Sequence, residues 1–210
     1  MLILEFEAPI QVSANIALLK NDTCFTVTTG HQLCLFTGPL FVIYKIITTL
    51  KLTSELKKKF PDKDFIPVFW MATEDHDFEE INKISLFGKS FEWSNKQGGY
   101  IGDYSTQGIE IIINELTDLI GNSTNLEKII QLFRKSYSKT TMAEAMRYML
   151  NELFGEYGLI VMDGNDKELK KTFKDDIRTE LFNQVISKSV NTTNSILNST
   201  GYTPKINPRE

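Results

Sequence analysis

An α/β fold built on a Rossmann-like parallel sheet is predicted by three features of this sequence. They are a β-branched and aromatic run at Cys24–Thr29, a helical pattern beginning after Gly38-Pro39, and a second strand-like run at Phe65–Met71. Strand, crossover helix and strand make a βαβ unit, and that unit pairs its strands in parallel. The first run, Cys-Phe-Thr-Val-Thr-Thr, ends at Gly30 and reads as a buried strand. Pro39 suits the first turn of a helix, where its missing N–H removes no hydrogen bond. Leu40, Ile43, Tyr44, Ile47 and Leu50 then recur at helical spacing until Pro61. Lys57-Lys58-Lys59 close that helix, as cations complementing its carboxyl-end dipole. After Glu74-Asp75-His76-Asp77, the runs Lys83–Phe87 and Ser90–Trp93 flank a Gly88-Lys89 turn. They predict a small antiparallel hairpin insertion over 83–105. Helices are expected at Ile109–Ile120, where Ile111-Ile112-Ile113 suits a strand equally well, and at Leu126–Tyr137 and Met142–Phe154, the last opened by a Thr141/Glu144 capping box. Leu159–Met162 is a third buried strand closed by Asp163-Gly164, and Leu169, Phe173, Ile177, Leu181 and Val185 mark a long helical segment over 166–200. Residues 1–210 are expected to form a single α/β domain.

Composition narrows the function classes. Among 210 residues, 41% are hydrophobic and 24% charged, the balance of a globular chain. A net charge of -4 argues against a nucleic-acid partner, since no broad basic footprint remains. Cys24 and Cys34 are too few for a disulfide framework or a thiolate zinc site, and Cys34 has no base at a diagnostic spacing. Glu5 and Glu7 interrupt any signal-peptide core. Thr23–Tyr44 lacks charged residues, but Gly30-His31-Gln32 and Gly38-Pro39 would break a spanning helix. A cytoplasmic protein without membrane contact is expected.

Four clusters carry candidate chemistry. Thr28-Thr29-Gly30-His31-Gln32 follows the first strand, where open α/β sheets bind ligands, and Gly38 is read as allowing a close backbone approach. Without a Gly-x-Gly-x-x-Gly or Gly-Lys-Ser/Thr pattern, it is an anion loop of low specificity or a plain turn. Glu74, Asp75, His76 and Asp77 follow the second strand and suit a cation or an amine; alternatively Asp75 or Asp77 caps a short helix through Ile81. Asp163-Gly164-Asn165-Asp166 follows the third strand as a binding turn or a structural one. Lys139, beside the Thr141-capped helix, completes a possible anion pocket.

The stretches Thr28–Leu40 and Pro67–Asn82, with Thr140–Glu144, Phe154–Leu159 and Asn207–Glu210, resemble the cysteine ligase family of bacillithiol biosynthesis. The block Trp-x-Ala-x-Glu-Asp-His-Asp-x-x-Glu-Ile-Asn82 carries the resemblance most specifically. It implies that this chain is the N-terminal Rossmann-like fragment of a longer enzyme, related in architecture to class I aminoacyl-tRNA synthetases. It also implies that L-cysteine is joined to the amine of glucosaminyl-malate, with ATP or ADP as the nucleotide and no metal beyond magnesium accompanying it. The longer enzyme would be a homodimer through a region beyond this chain. On that reading His31, Glu74, Asp75, His76 and Asp77 are catalytic, while Thr29, Gly30, Gln32, Gly38, Pro39, Asn82, Lys139 and Asp163 bind substrate or nucleotide. Adenylate-forming enzymes of that architecture carry two histidines in the first loop; here His31 stands alone, so activation through an adenylate or a phosphate stays open. Two rival classes also stay open: a non-catalytic nucleotide- or thiol-binding domain, and a metal-dependent hydrolase using Glu74, Asp75 and His76.

Overall fold

The computed structural model describes residues 8–121 and 123–207. Glu5, Glu7 and Pro208–Glu210, which entered the sequence reading, lie outside the described residues. The chain divides into two compact units, Met1–Asn165 and Asp166–Glu210.

The first unit is built on three parallel strands in the order β1 (Cys24–Gln32), β2 (Asp64–Ala72) and β5 (Ile160–Asp163), with β2 in the middle. The helix α2 (Leu40–Lys59) makes the crossover from β1 to β2. Alternation along β2 sends Ile66 and Val68 to one face, and Phe69 and Met71 to the other. The first face is covered by α1 (Ile10–Leu18), whose Val12 joins Ile66, Val68 and Ile160. The second holds the larger core, where Phe69 and Met71 meet Val42 and Ile46 of α2. Three further helices, α4 (Ile109–Ile120), α5 (Thr124–Tyr137) and α6 (Met142–Phe154), complete that core. Thr141 caps α6 as its sequence suggests: its side chain accepts from the Glu144 amide, and Glu144 accepts from the Thr141 amide.

The hairpin, β3 (Lys83–Leu86) and β4 (Lys89–Glu92), forms the expected small antiparallel pair. It is bound into the core through Phe91 and Trp93, both almost fully buried. The parallel sheet, flanking helices and hairpin are the predicted Rossmann-like α/β class.

Three local expectations change. The first strand does not end before Gly30 but continues through His31 and Gln32, each paired along β2. Gly30 lies within that ladder because a Cβ there would stand 2.8 Å from the Trp70 carbonyl oxygen. Nor is β1 fully buried: it is an edge strand, with Phe25, Thr26 and Thr28 exposed. In the second unit, the helical segment over 166–200 is divided into α7 (Lys167–Thr172), α8 (Lys174–Asn183) and α9 (Val185–Ser199). Gln184 between the last two is left-handed, with φ 51°. Apolar residues recurring every four outrun a 3.6-residue turn, so one straight helix would wind that stripe around its axis. Among the described residues, no helix is long and apolar enough to cross a membrane.

Candidate functional site at the carboxyl edge of the sheet

Register places His31, Met71 and Asp163 in one row across the three strands, at the end where the strands leave the sheet. Three of the four predicted clusters therefore meet at one edge, where α/β sheets bind ligands.

Beyond β1, the chain makes a tight bend with Phe36 at φ 51°, Thr37 at φ 71° and Gly38 at φ 64°. Left-handed geometry is unusual for a β-branched residue, so the surroundings must impose it. The Phe36 amide donates to the buried Tyr137 hydroxyl at 2.7 Å, and the Phe36 ring packs on Phe133 and Tyr137. A Cβ on Gly38 would stand 2.5 Å from the Cys34 Cβ, so the close approach this glycine permits is to Cys34. Pro39 then immediately precedes the first turn of α2.

The bend returns Cys34 beneath His31, with Sγ 3.5 Å from Nδ1. Nδ1 is also 3.0 Å from the Gln32 carbonyl oxygen, which only accepts, so the proton of neutral His31 sits on Nδ1 and Nε2 is its free ring nitrogen. The ring's edge meets Phe41 at 5.1 Å. Lys45, one helical turn on, donates to the Gly30 carbonyl at 3.2 Å and lies over the Phe41 ring. A cation thus stands at the mouth of a loop that carries no charge in its own sequence. Thr29, half-buried in β1, supports this loop from within the ladder.

The Glu74–Asp77 segment is held from below by the region following the hairpin. Ile101 and Gly102 donate their amides to the carbonyls of Asp75 and Thr73. Phe78 of α3 (Phe78–Ile81) packs edge-on to Trp93 and against Tyr104. Gln32 donates to Glu80 at 2.9 Å, tying the end of β1 to α3. Asp77 is the residue preceding α3 but makes no side-chain cap; instead Asp75 accepts the Asp77 amide at 2.8 Å. Neither aspartate caps the helix in the expected way, because Asp75 is spent on that turn. His76 and Asp77 are exposed, and the His76 ring makes no hydrogen bond or ring contact among the described residues. Asn82 is buried; it donates weakly to Glu92 at 3.5 Å, and its Oδ1 has no donor.

Asp163 is fully engaged. It accepts from the buried Thr73 hydroxyl, from the Asn165 amide at 2.9 Å and from Arg147 at 3.4 Å. Thr73 and Arg147 were not singled out from sequence: Thr73 stood unmarked in the acidic block, and Arg147 looked like any charged position of an amphipathic helix. Lys139 lies in the α5–α6 connection with its ammonium 4.7 Å from the Tyr148 ring centre. Among the described residues, no three His, Cys, Asp or Glu side chains are grouped to hold a metal ion.

Burial, and secondarily the Asp75 charge, push the Cys34 thiol up to about 11. An unfolded thiol ionises near its ordinary value of 9.0, whereas the folded one holds its proton longer. Folding stability is therefore expected to fall as pH rises from about 9 to about 11, by about 2–3 kcal/mol from this group. Denaturant unfolding near neutrality and near pH ~10 should show this slope, and Cys34→Ala should flatten it. An equal slope in both proteins would contradict the assignment.

Residues 3–210 match the family described as Bacillithiol biosynthesis BshC, N-terminal Rossmann-like domain. The chain is 44% identical over 202 residues to "Putative cysteine ligase BshC" of Christiangramia forsetii, covering 94% of this chain and 38% of that protein. It is 45% identical over 197 residues to the protein of the same name from Flavobacterium johnsoniae, covering 93% and 37%. The likeness extends to Chlorobaculum tepidum, at 31% identity over 214 residues, covering 97% and 38%. The chain thus spans little more than a third of the length of these curated relatives.

Proposed function

Because the chain belongs to the bacillithiol biosynthesis BshC family, through its N-terminal Rossmann-like domain, we propose that it forms the nucleotide- and substrate-handling crevice of a cysteine ligase. The full-length protein joins the carboxyl group of L-cysteine to the glucosamine amine of glucosaminyl-malate. The observation that carries this reading is the meeting, at one sheet edge, of a bend bearing the His31 imidazole and the Lys45 ammonium and a carboxylate segment (Glu74–Asp77). Amide formation needs both: an anion to be held while the acid is activated, and an amine to be held and deprotonated.

ATP would supply the group that activates the cysteine carboxylate. The donors suited to it are the Lys45 ammonium, His31 and the first amides of α2, which have no acceptors within their own helix. In its cationic form His31 keeps Nδ1–H on the Gln32 carbonyl and offers Nε2–H to developing negative charge. The carboxylate segment orients the amine and takes its proton as nitrogen attacks the activated carbonyl. Asp163 positions Thr73 and Asn165, and through them the start of the acidic segment.

The test is incubation of full-length protein with glucosaminyl-malate, L-cysteine and ATP, followed by mass spectrometry. Bacillithiol formed only when all three are present is the expected result. Nucleotide or thiol binding without product would replace the ligase by a binding domain.

A further inference from the structure

The carboxyl edge holds four carboxylates able to meet a positive charge beside β2 and β5; two are committed and a third faces solvent. Asp163 accepts from Thr73, Asn165 and Arg147. Asp75 accepts from the Asp77 amide, and Asp77 is turned to solvent. Glu74 differs: its Oε2 is shielded from water and has no donor. A carboxylate oxygen left so is unfavourable, and such groups in native proteins mark a missing partner.

A hydrogen-bond donor lies beside it. The indole Nε1 of Trp70, on the central strand, has no acceptor among the described residues. A Cβ on Gly164 would stand 2.6 Å from Glu74 Oε2 and 2.8 Å from Trp70 Nε1. Acceptor and donor thus converge on one bare glycine where β2 and β5 leave the sheet, yet no hydrogen bond joins them. Trp70 is flanked on its other side by Gly30, whose Cβ would meet Trp70 at 3.1 Å. The Trp70 side chain remains half-buried.

We propose that Glu74 and the Trp70 indole N–H form the recognition site for a primary ammonium carrying an oxygen on the neighbouring carbon. The ammonium donates to the Glu74 carboxylate, and the neighbouring oxygen accepts from Trp70. Glu74 as a whole is only half-buried, and the terminal torsion of a glutamate is soft, so the carboxylate can turn to meet a ligand at the edge. This chemistry belongs both to an amino sugar, with its vicinal hydroxyl, and to an α-amino acid, with its carboxylate. The inference rests on the ligase reading only for why such amines would arrive there.

Titration calorimetry on the full-length protein tests it, with glucosaminyl-malate and L-cysteine as separate probes. N-acetylglucosaminyl-malate, which has no ammonium, serves as the third. Glu74→Gln, which keeps the shape, should weaken one amine by about ten- to a hundred-fold and leave the acetylated probe unchanged. Whichever amine loses affinity identifies the source. Trp70→Phe keeps the ring and should weaken the same ligand by about three- to ten-fold. Wild-type affinity for both amines in Glu74→Gln, or in Trp70→Phe where the first variant does not fold, overturns the site. So does failure of the wild type to bind either amine. Amine binding that depends on Glu74 without any product would overturn the ligase and leave the site standing.

Discussion

Asp163→Ala is expected to destabilise the protein by about 2–4 kcal/mol, measured by denaturant unfolding. The magnitude follows from what the carboxylate leaves behind. The Thr73 hydroxyl is buried, with 1% of its surface exposed, and loses its acceptor. Arg147, whose Nε already lacks a partner, loses its ion pair at 3.4 Å in surroundings where both side chains are mostly covered. The Asn165 amide loses one of its acceptors and keeps the Thr73 oxygen. Asp163→Asn retains one acceptor and much of the shape, so its effect should be smaller. A loss below about 1 kcal/mol in Asp163→Ala would mean that the turn is held by its backbone alone.

His31→Ala in the full-length enzyme is expected to lower bacillithiol formation by ~10²-fold or more, with folding intact. His31 is oriented by the Gln32 carbonyl, backed by Cys34 and faced by Phe41, so its Nε2 has a fixed direction. His76 is exposed and its ring meets no orienting partner among the described residues, so His76→Ala should have the smaller effect. Steady-state turnover of both variants decides between them. A larger loss at His76, or unchanged turnover in His31→Ala, would remove His31 from the reaction. The sequence ranked the two histidines together; the difference lies in contacts made by Cys34 and Phe41.

The helices from Leu126 to Phe154 were legible because their stripes are regular and the Thr141/Glu144 box is local chemistry, whereas the run Ile111–Ile113 suited a strand as well as the helix it joins. The βαβ unit was legible for the same reason, since periodicity changes cleanly between Thr29 and Leu40. What local signals could not show was pairing. Gly30 punctuates a chain read alone, but in the sheet its bareness lets β1 lie close against the Trp70 backbone. The helix Ile10–Leu18 was not anticipated; it has no side-chain cap, no acidic first turn and no basic last turn. The left-handed Gln184 also carries no sequence mark of a break. At the candidate site, the residue types near the strand ends were visible, because strand ends can be read. Thr73, Arg147 and Lys45 were not, because each acquires its role from a residue distant in sequence or from a strand carbonyl.

The Phe36–Tyr137 hydrogen bond bears on the order in which the molecule matures. Its partners are separated by 101 positions, and contacts of such separation form late because a long loop must first close. A growing chain that has reached β2 already holds both strands and their crossover helix. It does not yet hold the hydroxyl that keeps the bend left-handed, nor the aromatic seat for Phe36. The bend is thus a late product of folding, completed only when α5 arrives, and a ribosome must release well over half of this chain before Phe36 acquires its seat.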